Sequence, residues 1–464
     1  MDRQKERNML INISGSSGVG KTTIATLIAL VLSKLNNTIL HICGDDLHKW
    51  ERGDKNWNLM THLNPNANNL DLGKSHILNL MSGKHIYRDH YDHDTGKFIK
   101  NVKILPADVI INEGLHSLYN HDVCKIADLN IFVHTDTELK KEWKLSRDIQ
   151  SRGYTEEQVL AAIRHRESDE KKYIQSQRSN ADVIINFSKK RFGTVDLNYE
   201  VVNNKNIDVI KKLKNFYELH KSFLLTCRGL SFEYELIQGA GGNISYKFDD
   251  KIIVTASGFG MSDVSMLNGY SVCNLDCEPI NKLQKRPSME VKMHTLLKNK
   301  IILHTHPIYL NTILCSLNSE TIISNILNDY TYVPYTTPGE DLAIALQNMK
   351  CNSKIVILEN HGLICCGDSF EEVFNASLEI NKLCKEWLIR NAKTFTTYTT
   401  KLEPTESDKY LYPDAVVLPE ENNSINNYML HIQKEVGLEP RCLNLLEIEH
   451  LKNMEAEKYR RSLV

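Results

Sequence analysis

Over the first 190 positions, apolar residues collect into short β-branched runs at 9–14, 39–43, 108–112, 130–134 and 182–186, with helix-length amphipathic stretches between them. Strands that alternate with helices predict a parallel sheet wrapped by helices, because a parallel pair needs a crossover rather than a tight turn. Between 188 and 214 the periodicity fades, Lys and Asn accumulate (NNKN at 203–206), and a helical pattern resumes near Ile210. This shift marks the domain boundary, so the domains are set at 1–210 and 211–464. From Gly239 a second set of strands, at 252–256, 301–304 and 355–358, is punctuated by glycine turns and again reads as α/β. The charged tail at 439–464 is helical in pattern beyond Pro440. It is expected to pack as a terminal helix or to serve an oligomer contact.

Composition narrows the chemistry. A chain of 464 residues favours two or three domains, each able to bury its own core. The 56 basic and 58 acidic residues give a formal charge of -2, with no basic footprint for nucleic acid, so small-molecule partners are expected. The longest apolar run, 24–35, is broken by Thr26, Ser33 and Lys34. It falls short of the roughly 20 residues that span a bilayer, and no membrane partner is expected. Eleven cysteines are scattered without CxxC spacing, and no secretory leader precedes the first glycine-rich loop. Reduced thiols and a cytoplasmic location are the expectation.

That loop is GSSGVGKT at 15–22, placed after a strand and at the start of an apolar helix. This context makes a phosphate cradle: Gly15, Ser16, Ser17, Gly18, Val19 and Gly20, with Lys21, Thr22 and Thr23 at the helix start, are expected to bind the nucleotide phosphates. Lys21 reaches the β- and γ-phosphates and Thr22 binds Mg²⁺, so ATP and Mg²⁺ are the expected cofactors. Two further strands end in acids, at Asp45-Asp46-Leu47-His48 and at Glu113-Gly114-Leu115-His116. Acids at the carboxyl ends of parallel strands face the ligand crevice. Glu113 is expected to hold the magnesium water shell, and Asp45 to take the proton of an attacking hydroxyl.

These residues, with HLNPNANNLDL (62–72), YDHDTG (91–96), INEGLH (111–116), WKLSRDIQSRGYT (143–155) and YIQSQRSNADVII (173–185), resemble the phosphoribulokinase and uridine kinase superfamily, the phosphoribulokinase branch more closely. The resemblance implies Asp45 as base, with His48, Arg52, Arg147 and Arg152 lining the acceptor and phosphate side. It also implies Lys144 and Asp148 near the transferring phosphoryl. Arginine forks suit a doubly anionic site. Plant-type members carry a cysteine in the loop that pairs with one before the catalytic aspartate. Here Cys43 matches the second but Val19 replaces the first, so no thiol switch is expected. The family's carboxy-terminal region is replaced, and ribulose 5-phosphate is not implied as the acceptor.

In the second half, His304 and His306 alternate on a predicted strand and project to the same side, while Asn360-His361-Gly362 follows another strand. Three neutral imidazoles with an open position suit catalytic zinc. Glu290, at a predicted helix start, is placed to move protons or to occupy the open metal position. GAGGNIS at 239–245 and TASG at 255–258 supply glycine-spaced amides and hydroxyls, an anion nest. These segments, with PYTTPGEDLA at 334–343, resemble the class II aldolase and adducin family over 213–390, and fuculose-phosphate-aldolase-type enzymes in particular. The resemblance implies Zn²⁺ on His304, His306 and His361, proton transfer by Glu290, and a substrate phosphate held by Asn243, Thr255, Ser257, Gly258 and Ser288. It also implies a homo-tetramer.

The fold expected from both resemblances is α/β, a P-loop NTPase-type parallel sheet followed by a second α/β domain of class II aldolase type. Fuculose-type enzymes protonate the leaving oxygen with a tyrosine some twenty residues past the histidine pair. No tyrosine lies between Leu310 and Asp329, leaving Tyr330 or Tyr332 as substitutes or a decarboxylation that needs no such acid. Met289 stands where those enzymes have a second serine. The function expected is ATP-dependent phosphorylation of a sugar, sugar acid or sugar phosphate, joined to zinc-dependent C–C cleavage of a phosphorylated ketose or keto acid. The alternative is a nucleoside kinase of the uridine type fused to a metal-free adducin-like oligomerisation module.

Overall fold

The structure, a computed structural model, describes residues 8–34, 37–190, 194–280, 285–398 and 409–463. Leu35 of the apolar run, residues 191–193 of the boundary stretch and Val464 of the tail lie outside the described residues. Two units are present, Met1–Glu218 and Leu219–Val464. Their division, between Glu218 and Leu219, falls inside the helix Ile207–Leu230.

The first unit holds β1 (Met9–Gly15), β2 (Ile39–Cys43), β3 (Ile86–Asp92), β4 (Lys97–Ile104), β5 (Val109–Glu113), β6 (Leu129–Thr135), β7 (Val183–Lys189) and β8 (Val195–Val201). Six of these form one sheet in the order β2-β5-β1-β6-β7-β8, and β3 with β4 makes a separate hairpin. The sheet is parallel except at β7 and β8. Leu10, Ile11, Ile13, Ile110, Ile111, Ile131 and Phe132 are wholly buried, which explains why the central strands read as continuous apolar runs.

The Lys/Asn-rich stretch at 188–214 contains β8, an antiparallel edge strand. VDLNYEV alternates, with Leu197 buried and Asn198 and Glu200 exposed, because an edge strand of this kind has one face on the core and one in solvent.

Strand order brings the carboxyl ends of β2, β5 and β1 side by side, with Glu113 in register with both Cys43 and Ile13. The turns after β2 and β5 touch. A Cβ on Gly44 would lie 2.9 Å from the Gly114 Cα, so this close approach requires glycine.

The second unit holds β9 (Asn243–Phe248), β10 (Lys251–Thr255), β11 (Tyr270–Asn274), β12 (Ile301–Thr305), β13 (Thr331–Val333), β14 (Ile355–Leu358) and β15 (Gly362–Gly367), in the order β11-β10-β9-β12-β15-β14-β13. All neighbours are antiparallel except β13 and β14. The tail forms helices Pro413–Val417, Pro419–Val436, Leu445–Asn453 and Glu455–Arg461. Val416, Val417, Leu443, Ile448 and Leu451 share a core cluster to which Ala240 and Met454 are packed, fixing the tail beside the 239–243 glycine turn.

Candidate active sites

In the first unit the glycine-rich loop leaves β1 and enters the helix Lys21–Leu32, with Gly20 as N-cap in the left-handed region at φ 89°. Lys21 Nζ donates to the Ser16 carbonyl at 3.0 Å and lies 3.9 Å from Glu113 Oε1. Thr22 Oγ1 donates to Glu113 Oε2 at 3.3 Å. Lysine, hydroxyl and carboxylate therefore meet at the tips of β1 and β5.

Asp45 follows β2 in the short turn Gly44–Leu47. Its oxygens lie 3.5 Å from His48 Nε2 and 3.6 Å from His93 Nε2. Burial would raise its carboxyl, but His48, His93, Lys21 and Arg152 outweigh burial and hold it below the usual carboxylate range. An ionised acid beside the phosphate loop can accept a proton. Neighbouring Asp46 is engaged differently. It contacts Arg88 and His90 at 3.2 Å each and accepts from the Tyr91 amide at 2.8 Å, fastening the hairpin to the turn.

The helix Thr137–Arg152 brings up the cations. Asp148 Oδ1 accepts from Arg147 Nε at 2.9 Å and Arg152 Nη1 at 3.2 Å, while Arg147 Nη2 reaches Ser17 Oγ at 3.5 Å. Lys144 is buried. Burial first, and Arg166 next, lower its pKa to about 8. Arg52 is exposed and donates to the carbonyls of His93 and Asp94 at the hairpin tip.

Sequence reasoning missed Arg166, His93 and Glu170. Glu170 accepts from Ser16 Oγ at 2.7 Å and pairs with Lys140. Its stretch, RHRESDEKK, reads as a solvated helix face, and only the fold against the loop shows otherwise.

In the second unit, His304 is the penultimate residue of β12, His306 follows the strand, and His361 stands in the turn between β14 and β15. All three are buried, with ligand nitrogens within 4.8 Å of one another. His304 Nε2 and His306 Nε2 are 2.9 Å apart. Glu290, N-cap of the helix Val291–Leu296, places Oε2 at 3.4 Å from His304 Nε2 and Oε1 at 3.6 Å from His361 Nε2. Burial lowers the His361 pKa to about 3, keeping that imidazole neutral. Glu290 Oε1 has no hydrogen-bond partner among the described residues. Inward nitrogens and an unpartnered carboxylate oxygen fit a divalent metal.

A pocket adjoins this cluster, lined by Asn243, Thr255, Ser257, Gly258, Ser288, Met289, Glu290, His306 and His361, and by Asp414, Glu457 and Arg460 of the tail. The expected phosphate residues are thus together. Asn243 lines the cavity with them, its Nδ2 donating to Glu290 Oε2 at 2.7 Å and its Oδ1 facing His294 Nε2. His294 was missed, although its position four residues after Glu290 puts both on one helix face. Neither Tyr330 nor Tyr332 lines the cavity, and the Tyr332 hydroxyl is bonded to Ser319 Oγ at 2.7 Å.

Among the described residues, no helix is long and apolar enough to cross a membrane. Residues 10–214 match the phosphoribulokinase / uridine kinase family, and residues 222–388 match the class II aldolase and adducin N-terminal domain. The phosphoribulokinase of Synechocystis sp. is 37% identical over 185 residues, covering 40% of this chain and 55% of that protein. The chain spans about half the length of the curated phosphoribulokinases it matches. The L-fuculose phosphate aldolase of Methanocaldococcus jannaschii is 29% identical over 164 residues, covering 33% of this chain and 87% of that protein. The solved phosphoribulokinase from Rhodobacter spheroides aligns with a TM-score of 0.36 at 23% identity, covering 44% of this chain and 84% of that one. The chain thus joins a phosphoribulokinase/uridine kinase-like domain to a class II aldolase/adducin-like domain.

Proposed function

We propose that this chain is a bifunctional carbohydrate enzyme. Its first unit transfers a phosphoryl group from ATP, with Mg²⁺, to a sugar, sugar acid or sugar phosphate. Its second cleaves a C–C bond in a phosphorylated ketose or keto acid, by aldol cleavage or decarboxylation. The observation that carries this reading is that each site is assembled from segments far apart in sequence: Lys21, Asp45, Glu113 and Asp148 in one, Glu290, His304 and His361 in the other.

In the first site Lys21, Thr22 and Glu113 hold the phosphates and their magnesium, and Asp45 takes the acceptor hydroxyl's proton. His48, Arg52, Lys144, Arg147 and Arg152 hold the anionic acceptor and the moving phosphoryl. In the second site His304, His306 and His361 would hold zinc, which supplies Lewis-acid polarisation of a carbonyl. Glu290 moves the proton, and Asn243, Thr255, Ser257, Gly258 and Ser288 grip the phosphate. All eleven cysteines are free, which supports a reducing, cytoplasmic compartment. A homo-tetramer formed through the second domain completes the proposal and is tested by light scattering.

Asp45→Asn is expected to abolish phosphorylation while sparing lyase turnover of a supplied phosphoester, and His304→Ala to do the reverse. Phosphoryl transfer intact in Asp45→Asn would remove the base assignment. Acceptors are screened over pentuloses, tetronates and their phosphates, each product being passed to the second site. Uridine outcompeting every sugar would replace the sugar-kinase reading, and a purified chain without divalent metal would remove the lyase.

A further inference from the structure

The three clustered imidazoles differ in what meets the nitrogen turned away from Glu290. His304 Nδ1 is 3.0 Å from the Leu363 carbonyl oxygen. A carbonyl only accepts, so Nδ1 carries the proton and Nε2 keeps its lone pair. His361 Nδ1 has no hydrogen-bond partner among the described residues. His306 Nδ1 stands 2.8 Å from Asp414 Oδ2, an ion-pair contact whose angles fall outside hydrogen-bond geometry for both atoms.

Asp414 is 3% exposed and comes from the tail, outside the family-matched residues 222–388. Arg460 Nη2 donates to its Oδ1 at 2.5 Å, and Arg460 Nε lies 2.8 Å from Glu457 Oε2. An ionised carboxylate likewise only accepts. At 2.8 Å from an anionic oxygen Nδ1 of His306 carries the proton, and in the neutral ring Nε2 then keeps a lone pair that faces His304 Nε2 at 2.9 Å. Two facing lone pairs repel, and a shared cation removes the conflict. Gly241 bears on the same pair. A Cβ there would lie 2.6 Å from Asp414 Oδ2 and 3.1 Å from His306 Nδ1, so the carboxylate occupies room that only glycine leaves.

We propose that Asp414, braced by Arg460, is a positioning residue for the metal site: it holds the Nδ1 proton of His306 and so presents Nε2 to the metal. The inference rests on the metal reading above. It makes the tail part of the second site, since the carboxylate that orients a ligand lies in a segment the family match does not reach. Carboxylate partners of this kind fix ring orientation and raise ligand basicity.

The test measures zinc affinity of the full chain by competition with a chromogenic chelator. Asp414→Asn is expected to weaken zinc binding about 10- to 100-fold. Gly241→Ala, which displaces the carboxylate without deleting a charge, is expected to do the same. Lys458→Ala, on the same tail helix but with its side chain paired only with Glu455 among the described residues, leaves affinity unchanged. Thermal unfolding with chelator present separates these effects from loss of fold. Should Asp414→Asn not fold, Gly241→Ala decides. Independently of any substitution at the pair, ¹⁵N-histidine spectra of the metal-free wild-type chain, with His306 assigned by its loss in His306→Gln, report the tautomer: Nδ1–H supports the inference and Nε2–H overturns it. A wild-type chain that binds no zinc defeats the metal reading itself. A wild-type chain that binds zinc no better than folded Asp414→Asn and Gly241→Ala defeats this inference alone.

Discussion

Asn243 Nδ2 donates to Glu290 Oε2 at 2.7 Å, and the orientation of that amide is set from behind by His294. Burial lowers the His294 pKa to about 3, so the ring is neutral with a single N–H. Its Nε2 faces the Asn243 carbonyl oxygen, an acceptor, so the proton is there, and Nδ1 accepts from Ser245 Oγ at 2.7 Å. His294→Phe keeps the ring volume but strands two buried polar groups, at a cost of about 1–3 kcal/mol each. It also frees the Asn243 amide to turn its oxygen toward Glu290. The expected outcome is a lower midpoint for the calorimetric transition of the second unit, identified by its response to zinc, together with a fall in lyase kcat larger than any rise in KM. An unchanged kcat would show that Glu290 does not depend on this chain of contacts.

Lys144 gives the first unit an alkaline signature. Burial, then Arg166, lower its pKa from 10.5 to about 8. Below about pH 8 the folded chain carries a buried cation that the unfolded chain solvates. Between about 8 and 10.5 the unfolded chain binds the extra proton, so stability rises with pH across that window as the penalty is relieved. Phosphoryl transfer should run the other way. The kcat/KM for ATP is expected to fall above about pH 8 as Lys144 loses its charge, with Lys144→Arg moving that limb to higher pH. Arg166→Gln removes the largest Coulombic contribution to the shift and should also move the limb upward. The pH–rate profiles of the three proteins check this, and a limb indifferent to both substitutions would assign it to another group.

Parts of both sites are legible in sequence because local chemistry fixes them. Glycine spacing dictates the loop at 15–20, and central parallel strands are apolar on both faces, so β1, β5 and β6 announce themselves. β8 escapes notice for the opposite reason: its alternation is weak and sits among Lys and Asn, and only its pairing with β7 makes it a strand. Arg166, Glu170 and Arg460 belong to stretches whose charges read as solvated faces, whereas Asp414 is a lone acid in the apolar run LYPDAVVL at 411–418. Asp414 stands over a hundred positions from His306 and meets it only because Val416, Val417 and Leu451 bury the tail. His294 alone carries a local signal, its one-turn spacing from Glu290.

Glu113 meets Lys21 and Thr22 at once, so its charge and its hydrogen bond can be separated. Glu113→Gln keeps an acceptor for the Thr22 hydroxyl but removes the negative charge beside the magnesium position. The Mg²⁺ concentration for half-maximal kinase activity is expected to rise about 10- to 100-fold, the range for losing an outer-sphere partner. Saturating Mg²⁺ should recover much of the rate. A magnesium titration at fixed ATP measures it, and an unchanged midpoint would place the ion's support elsewhere.

Gly20 is held by two independent constraints, and a pair of variants can tell them apart. Its φ of 89° lies where a side chain is strained, by about 1–2 kcal/mol. In addition, a Cβ would lie 2.9 Å from Phe187 Cε2 and 3.3 Å from Trp143 Cζ3. Gly20→Ala should therefore tilt the first amides of the helix Lys21–Leu32 away from the phosphate position and weaken ATP binding about tenfold or more, each tenfold being 1.4 kcal/mol. Phe187→Leu removes the ring edge that the new methyl meets but leaves the backbone conformation as it is. If steric contact dominates, Gly20→Ala with Phe187→Leu regains most of the lost affinity. If φ dominates, it regains little, and the backbone strain is the reason glycine stands there. Titration calorimetry with a non-hydrolysable ATP analogue on the four proteins of this cycle gives the coupling directly. Wild-type affinity in Gly20→Ala would mean that the amide cradle does not bind phosphate at this end of the helix.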